Sequence, residues 1–414
     1  MSTQFYVSVL TVAITLKVML LACAYLILLE RKMCAWIQNR IGPNRTGLSL
    51  GILPLRFHFW GLGQPLADGV KLLFKEDYTP LNVDRPLFIA APIIVMIPAM
   101  LGWAVVPWGG LWQSEGWMWP TWIPFIGGGS VEPFNVSVTG AAINIGILYI
   151  LAIGSLAVYG IVLGGYASNN KYSFFGSLRA TAQMISYEIP QGLCVLIMIL
   201  MWSTSRADFL VILQANSTWN LFYHPLLAII FFTCVLAECN RAPFDLAEAE
   251  QELVGGYHTE YASMKWALFF FGEYMHMITG SAFFALLFLG GWDLPLVHEP
   301  AVGGLAWVAL KIIVFAIKTF LLVAAMIWIR WTLPRLRFDQ LMRLAWRGLI
   351  PVTLAMLLIT SAFVYFGIEN WIYYCVANVI IFFTAPLISQ VIPTGAPVNR
   401  RVPLAGSRFS PAET

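Results

Sequence analysis

Charge is what this 414-residue chain has least of: 11% of it is Asp, Glu, Lys or Arg, against 59% hydrophobic residues, and its mean hydropathy is +0.76. So little polar surface cannot cover a water-soluble body of this size, so the chain reads as a protein embedded in lipid. Cysteine is scarce too. Six residues (Cys23, Cys34, Cys194, Cys234, Cys239, Cys375) with no C-x-x-C spacing predict neither a disulfide nor an iron–sulfur cluster, and most lie in apolar runs as small hydrophobes. The five histidines are scattered, and only His276 falls deep in an apolar run; it reads as a satisfied core histidine, because a haem would want two facing each other. There is no glycine-rich phosphate loop after a strand, no nucleophile–base pair in a recognisable setting, and no metal site. A net charge of +3 is an orientation signal rather than a nucleic-acid footprint.

What the chain has is long apolar runs, near 5–29, 88–107, 141–163, 183–203, 223–239, 264–290, 305–331 and 349–367, and a ninth at 371–392. At roughly 18 to 25 residues each can cross about 30 Å of hydrocarbon. Their period is helical and they are too long for barrel strands, so the predicted fold is all-α, a polytopic transmembrane helical bundle. The longest connection, 30–87, carries amphipathic stretches and is expected to form surface helices. The first run lacks a basic segment before it and reads as the first helix, not as a cleavable signal. Of 24 basic residues, 15 fall in 30–87 and in the loops two crossings apart, whereas 108–140, 204–222 and 291–304 hold only Arg206. The positive-inside rule then places the N-terminus outside, and nine crossings bring the tail with Arg400, Arg401 and Arg408 inside.

Against this apolar background, seven of the 21 carboxylates lie between residues 238 and 273: Glu238, Asp245, Glu248, Glu250, Glu252, Glu260 and Glu273. Asp245 and Glu248 also read as a capping box, with a short helix over Leu246 to Val254 ended by Gly255-Gly256. That account does not require Glu250 and Glu252, nor Glu188 and Glu273 in separate apolar runs. Carboxylates on several helices point to a shared interior path, because each would otherwise face lipid alone. A new negative charge about 10 Å away, at an effective dielectric of about 20, changes a carboxylate's energy by roughly 1.7 kcal/mol, a little over one pKa unit. Redox chemistry nearby would therefore switch its protonation.

Basic residues offer open alternatives. Arg31, Lys32 and Arg40 follow the first run as stop signals, yet a Gly42-Pro43-Asn44 turn would also hold Arg40 in one place. Asp68 with Lys71 makes an ordinary surface pair, or Asp68 faces a cavity with the arginines. Lys318 is too central to reach the interface. Arg330, Arg335 and Arg337 anchor lipid headgroups, or face Arg31 and Arg40 as a basic mouth.

The stretches ERKMCAWIQNRIGPNRTG, QPLADGVKLLFKED, SNNKYSFFGSLRATAQMISYEIP, AECNRAPFDLAEAEQELVGGYHTEYASMKWALFFFGEY and LPRLRFDQLMRLAWR together resemble the H subunit of respiratory complex I, called subunit 1 in mitochondria, over residues 5 to 367. The resemblance implies a membrane subunit of the proton-pumping NADH:quinone oxidoreductase in an energy-transducing membrane, the bacterial cytoplasmic (inner) one. Quinone would be the substrate, and FMN, NADH and iron–sulfur clusters would belong to partner subunits. Partners implied are the peripheral subunits of the quinone site and terminal cluster, and small membrane subunits leading to antiporter-like ones. Arg31, Arg40, Asp68, Arg241 and Arg330 would line the quinone tunnel. Glu188, Glu238, Asp245, Glu248, Glu250, Glu252 and Glu273 would form the proton-coupling path. Two departures stand out: Leu48 to Gly63 is longer than the family's usual connection, and the family ends after eight spans, so that 1–367 is the family domain and 368–414 an added span and basic tail. The rival readings are the related subunit of a membrane-bound hydrogenase and a stand-alone cation transporter.

Overall fold

The computed structural model describes residues 3–44, 46, 61–114, 117–118, 130–131, 134–246, 254–294, 304–368 and 370–391. Every one of the nine apolar runs is helical. In chain order the helices are α1 (Thr3–Ile37), α2 (Gln64–Phe74), α3 (Arg85–Leu101), α4 (Gly146–Ala167), α5 (Lys171–Trp202), α6 (Ala207–Asn216), α7 (Asn220–Tyr223), α8 (Pro225–Glu238), α9 (Ser263–Phe288), α10 (Leu305–Thr332), α11 (Phe338–Arg343), α12 (Ile350–Tyr365) and α13 (Trp371–Val391). A π-turn, Leu344–Leu349, joins α11 to α12. Among the described residues six stretches are long and apolar enough to cross a membrane: Gln4–Ile37, Arg85–Ala104, Gly146–Ala167, Lys171–Trp202, Leu305–Thr332 and Phe338–Tyr365. The chain is a multi-pass membrane protein.

Two regions differ from the sequence expectation. The run at 223–239 becomes a helix of only 14 residues, about 21 Å at 1.5 Å per residue, and the polar connection before it folds as α6 and α7. Between α3 and α4 the chain turns to strands. β1 (Leu111–Ser114) pairs antiparallel with β4 (Phe134–Ser137), and β2 (Trp117–Met118) with β3 (Ser130–Val131). Tryptophans and valines between glycines and prolines favour a hairpin over a helix. Gln4 of α1 ties down β4: its amide donates to the Ser137 carbonyl and accepts from the Ser137 N–H, each at 3.1 Å.

Small residues let the helices approach closely, as lipid-embedded packing requires. A Cβ on Gly160 of α4 would lie 2.4 Å from Val95 of α3 and 2.9 Å from the Ala91 carbonyl. Phe231 of α8 meets Phe283 and Phe288 of α9 at ring distances of 5.4 and 5.6 Å, and all three are buried. Lys318 of α10 donates to the carbonyls of Leu289, Gly291 and Asp293 at 2.7, 3.0 and 2.6 Å, which is how a central lysine is tolerated. The amphipathic α2 buries none of its residues and leaves Leu66, Val70 and Phe74 exposed.

Candidate functional site

The end of α8 sets the site. Asn240 adopts a left-handed conformation (φ 48°), the Asn240 N–H bonds to Ala237 O at 3.2 Å and the Arg241 N–H to Leu236 O at 3.2 Å. This is the paired-bond helix terminus in which asparagine takes the role usual for glycine. Gln183 of α5 braces it by donating to Ala237 O at 2.9 Å and to Asn240 Oδ1 at 3.2 Å. The turn brings Arg241, 3% exposed, back into the bundle.

There Arg241 meets Glu30, near the end of α1 and 6% exposed. Its Nη1 donates to both Glu30 oxygens, at 3.2 and 3.1 Å. Arg330 of α10 and the Tyr274 hydroxyl of α9 also donate to Glu30. The Arg241 guanidinium lies 4.4 Å from the Tyr274 ring centre, and its Nη2 is 3.8 Å from Glu273 Oε2. Two arginines and two glutamates from α1, α9, α10 and the turn after α8 thus form a charge-balanced quartet. Burial of such charges is tolerated because each has its counter-ion in place.

Glu273 also accepts from Tyr257 at 3.0 Å, and both line a cavity of about 20 Å³ shared with Glu238, Asn240, Met184 and His276. Glu238 accepts from Gln191 of α5 at 2.9 Å. It also packs against α4, where a Cβ on Gly154 would come within 3.0 Å of its carboxylate. The quartet and the cavity therefore share Glu273, giving a line of ionisable groups from Glu30 through Arg241 and Glu273 to Glu238.

Other sequence candidates fall around this line. Arg31 pairs with Asp68 of α2 at 2.8 Å, and Asp68 accepts from Gln64 at 3.0 Å, which joins α1 to the surface helix. Asp245 is buried and accepts from Arg335 at 3.1 Å. Glu188 of α5 is half-buried and faces Ser155. Arg40 is exposed, with its guanidinium on Gln38 rather than in the quartet. Glu248, Glu250 and Glu252, the short helix expected over Leu246 to Val254, and the Leu48 to Gly63 stretch up to residue 60 lie outside the described residues. Glu30 is the functional candidate that sequence reasoning missed. A Glu-Arg-Lys triplet closing a span looks like a topological stop, and the partners of Glu30 are 211, 244 and 300 positions away. His276 also departs from expectation, since its buried Nε2 has no hydrogen-bond partner among the described residues. Among the described residues no group of histidine, cysteine or carboxylate side chains could hold a metal.

The architecture defines a class first, a multi-pass helical membrane protein with linked ionisable groups in its interior. Within that class the chain belongs to the NADH dehydrogenase family, whose model matches residues 10–361. It is similar to the H 1 subunit of the NADH-quinone oxidoreductase of Geobacter sulfurreducens, 43% identical over 361 residues, 86% of this chain and 95% of that protein. The H 1 subunit of the Cytophaga hutchinsonii oxidoreductase is 43% identical over 333 residues, 80% of this chain and 89% of its own length. The corresponding H subunit of Leptospira biflexa is 42% identical over 361 residues, 86% and 94% respectively. Helix α13 lies beyond the matched stretch.

Proposed function

We propose that the chain is the membrane subunit of a proton-pumping NADH:quinone oxidoreductase that forms the wall of the quinone tunnel and begins the acidic path coupling quinone reduction to proton movement. The observation that carries this reading is the sharing of Glu273 between the buried quartet and the Glu238 cavity. On this reading the quinone head approaches the quartet from the α1–α2 side, past Arg31, Asp68 and Arg40, where a cleft of about 470 Å³ is lined by Ile41, Gly42, Pro43, Asn44, Thr46 and Gln64.

Quinone reduction places negative charge on the oxygens until protons arrive. Arg241 and Arg330, already oriented by Glu30, stabilise that charge with their guanidinium cations. As they turn toward it their hold on Glu30 and Glu273 weakens, and a carboxylate losing a cationic neighbour binds a proton more tightly. Proton occupancy then passes to Glu238, with Asp245, Glu188, Glu248, Glu250 and Glu252 extending the path. Electrons would arrive from an iron–sulfur cluster held, like FMN and NADH, by peripheral partner subunits. The path would continue into small membrane partners. We assign the protein to the bacterial cytoplasmic membrane, N-terminus outside, with 1–367 as the family domain and 368–414 as an added span whose basic tail lies inside.

Glu238→Gln tests the coupling. In membranes carrying the whole enzyme it should lower NADH:quinone turnover and proton pumping together by about 10-fold or more, with NADH oxidation by ferricyanide, a reaction of the peripheral arm, unchanged. Full turnover and pumping in this variant would refute the reading.

A further inference from the structure

Glu238 and Glu273 line one cavity, yet each carboxylate is engaged by a different protein donor, Gln191 for the first and Tyr257 for the second. Neither of these bonds links the two acids. They stand on separate elements, α8 and α9, and a proton passing between them needs a carrier. The cavity, about 20 Å³, has room for one water molecule, which settles in such a space when polar atoms surround it.

His276 supplies the missing surround. It stands three residues after Glu273 on α9, hence on the same helix face, and lines the same cavity. Its Nε2 is buried and has no hydrogen-bond partner among the described residues, in a molecule whose neighbouring acids and tyrosine are all engaged. A buried ring nitrogen on a residue that lines a water-sized cavity together with two carboxylates and a tyrosine is satisfied when a water bonds to it.

We propose that His276 is a positioning residue that holds one water between the carboxyls of Glu238 and Glu273. This inference rests on the proton-coupling reading above. The water gives one hydrogen bond to Nε2 and keeps one O–H and its lone pairs for the two acids. A protonated carboxyl on one side passes its proton to the water oxygen while the water passes its free proton to the carboxylate on the other. One proton has then moved between the acids, the water is restored and the imidazole is unchanged. The role requires a hydrogen-bonding atom at this place and no charge on the ring.

The test uses the whole enzyme in its membrane with three substitutions. His276→Asn retains a polar atom that can hold the water, His276→Phe keeps the ring and removes it, and His276→Met removes it with a flexible side chain should phenylalanine impair assembly. Ferricyanide reduction by NADH reports assembled enzyme, and quinone turnover with proton pumping reports coupling. We expect His276→Phe and His276→Met to lower turnover and pumping about 10-fold per assembled enzyme, with His276→Asn within about 2-fold of the parent. Parent-like turnover and pumping in the phenylalanine or methionine variant overturns the proposal, and so does a His276→Asn variant as impaired as they are. Glu238→Gln measured in parallel separates the two levels. If it is impaired while His276→Phe is not, only the role of His276 falls; if it is silent, the proton-coupling reading itself falls.

Discussion

Two cations along α9, the buried Arg241 and the half-buried Lys318, are handled in opposite ways. Arg241, against the first half of the helix, is held by the carboxylates of Glu30 and Glu273. Lys318, past the other end, is held by three backbone carbonyls and lies 4.4 Å from the Trp219 ring centre. Backbone carbonyls carry fixed partial negative charge and never titrate, so Lys318 is held by them at direct hydrogen-bond range with the Asp293 carboxylate acting only as a nearby charge, and its role is to fasten α10 to the end of α9. Arg241 is neutralised by groups whose charge can change. The comparison separates cations that stabilise the bundle from cations that can transmit a change of charge through it.

The largest effect expected is for Glu30→Ala, which strips the quartet of the acid that both arginines share. Arg241 keeps only Glu273, at 3.8 Å, and the half-buried Arg330 loses its acid; breaking a buried pair costs about 3 to 5 kcal/mol, and the assembled enzyme recovered from membranes, read by ferricyanide activity, should fall sharply. Lys318→Met should act next, through stability alone: three carbonyls lose their donor at a cost of about 1 to 3 kcal/mol. The enzyme should lose activity at lower temperature while its turnover per assembled complex stays at the parent level. A Lys318 variant with normal heat stability but impaired pumping would break the comparison. Asn378→Leu, which removes the amide joining α13 to the α7–α8 corner, should lower the midpoint of thermal inactivation by an amount corresponding to about 1 kcal/mol. Arg31→Ala should be the mildest in stability, about 0 to 1 kcal/mol, because the Arg31 side chain is half in solvent. Any change in that variant belongs in quinone turnover.

Sequence legibility followed the range of the interactions. The nine apolar runs were readable because each helix in lipid must satisfy its own backbone, a local constraint. The hairpin between α3 and α4 was not, since the paired positions of β1 and β4 are 20 to 26 residues apart in the chain. Nor was the break that shortens α8, where Pro225 starts a helix after a four-residue turn of helix. In the site, Glu238 and Glu273 stood out as acids in apolar surroundings. Glu30 did not, because an acid beside Arg31 and Lys32 resembles any span boundary and its partners come from three distant helices or turns. Arg241 became legible as a partner only once the Asn240 turn was known to direct it inward.

Helix α13 carries a last consequence. Asn378 donates toward the Tyr223 carbonyl at 3.3 Å and to the Tyr374 carbonyl at 2.7 Å, and meets His224 Nδ1 at 3.1 Å. The corner where α7 gives way to α8 is thereby roofed by the chain's own C-terminal end, with His224 and Asn378 both almost fully enclosed. A protein cut after Gly367 would leave His224 and the Tyr223 carbonyl uncovered at that corner. Restoring the lost segment as a separate peptide should close it again, with the amide of residue 378 acting as the latch.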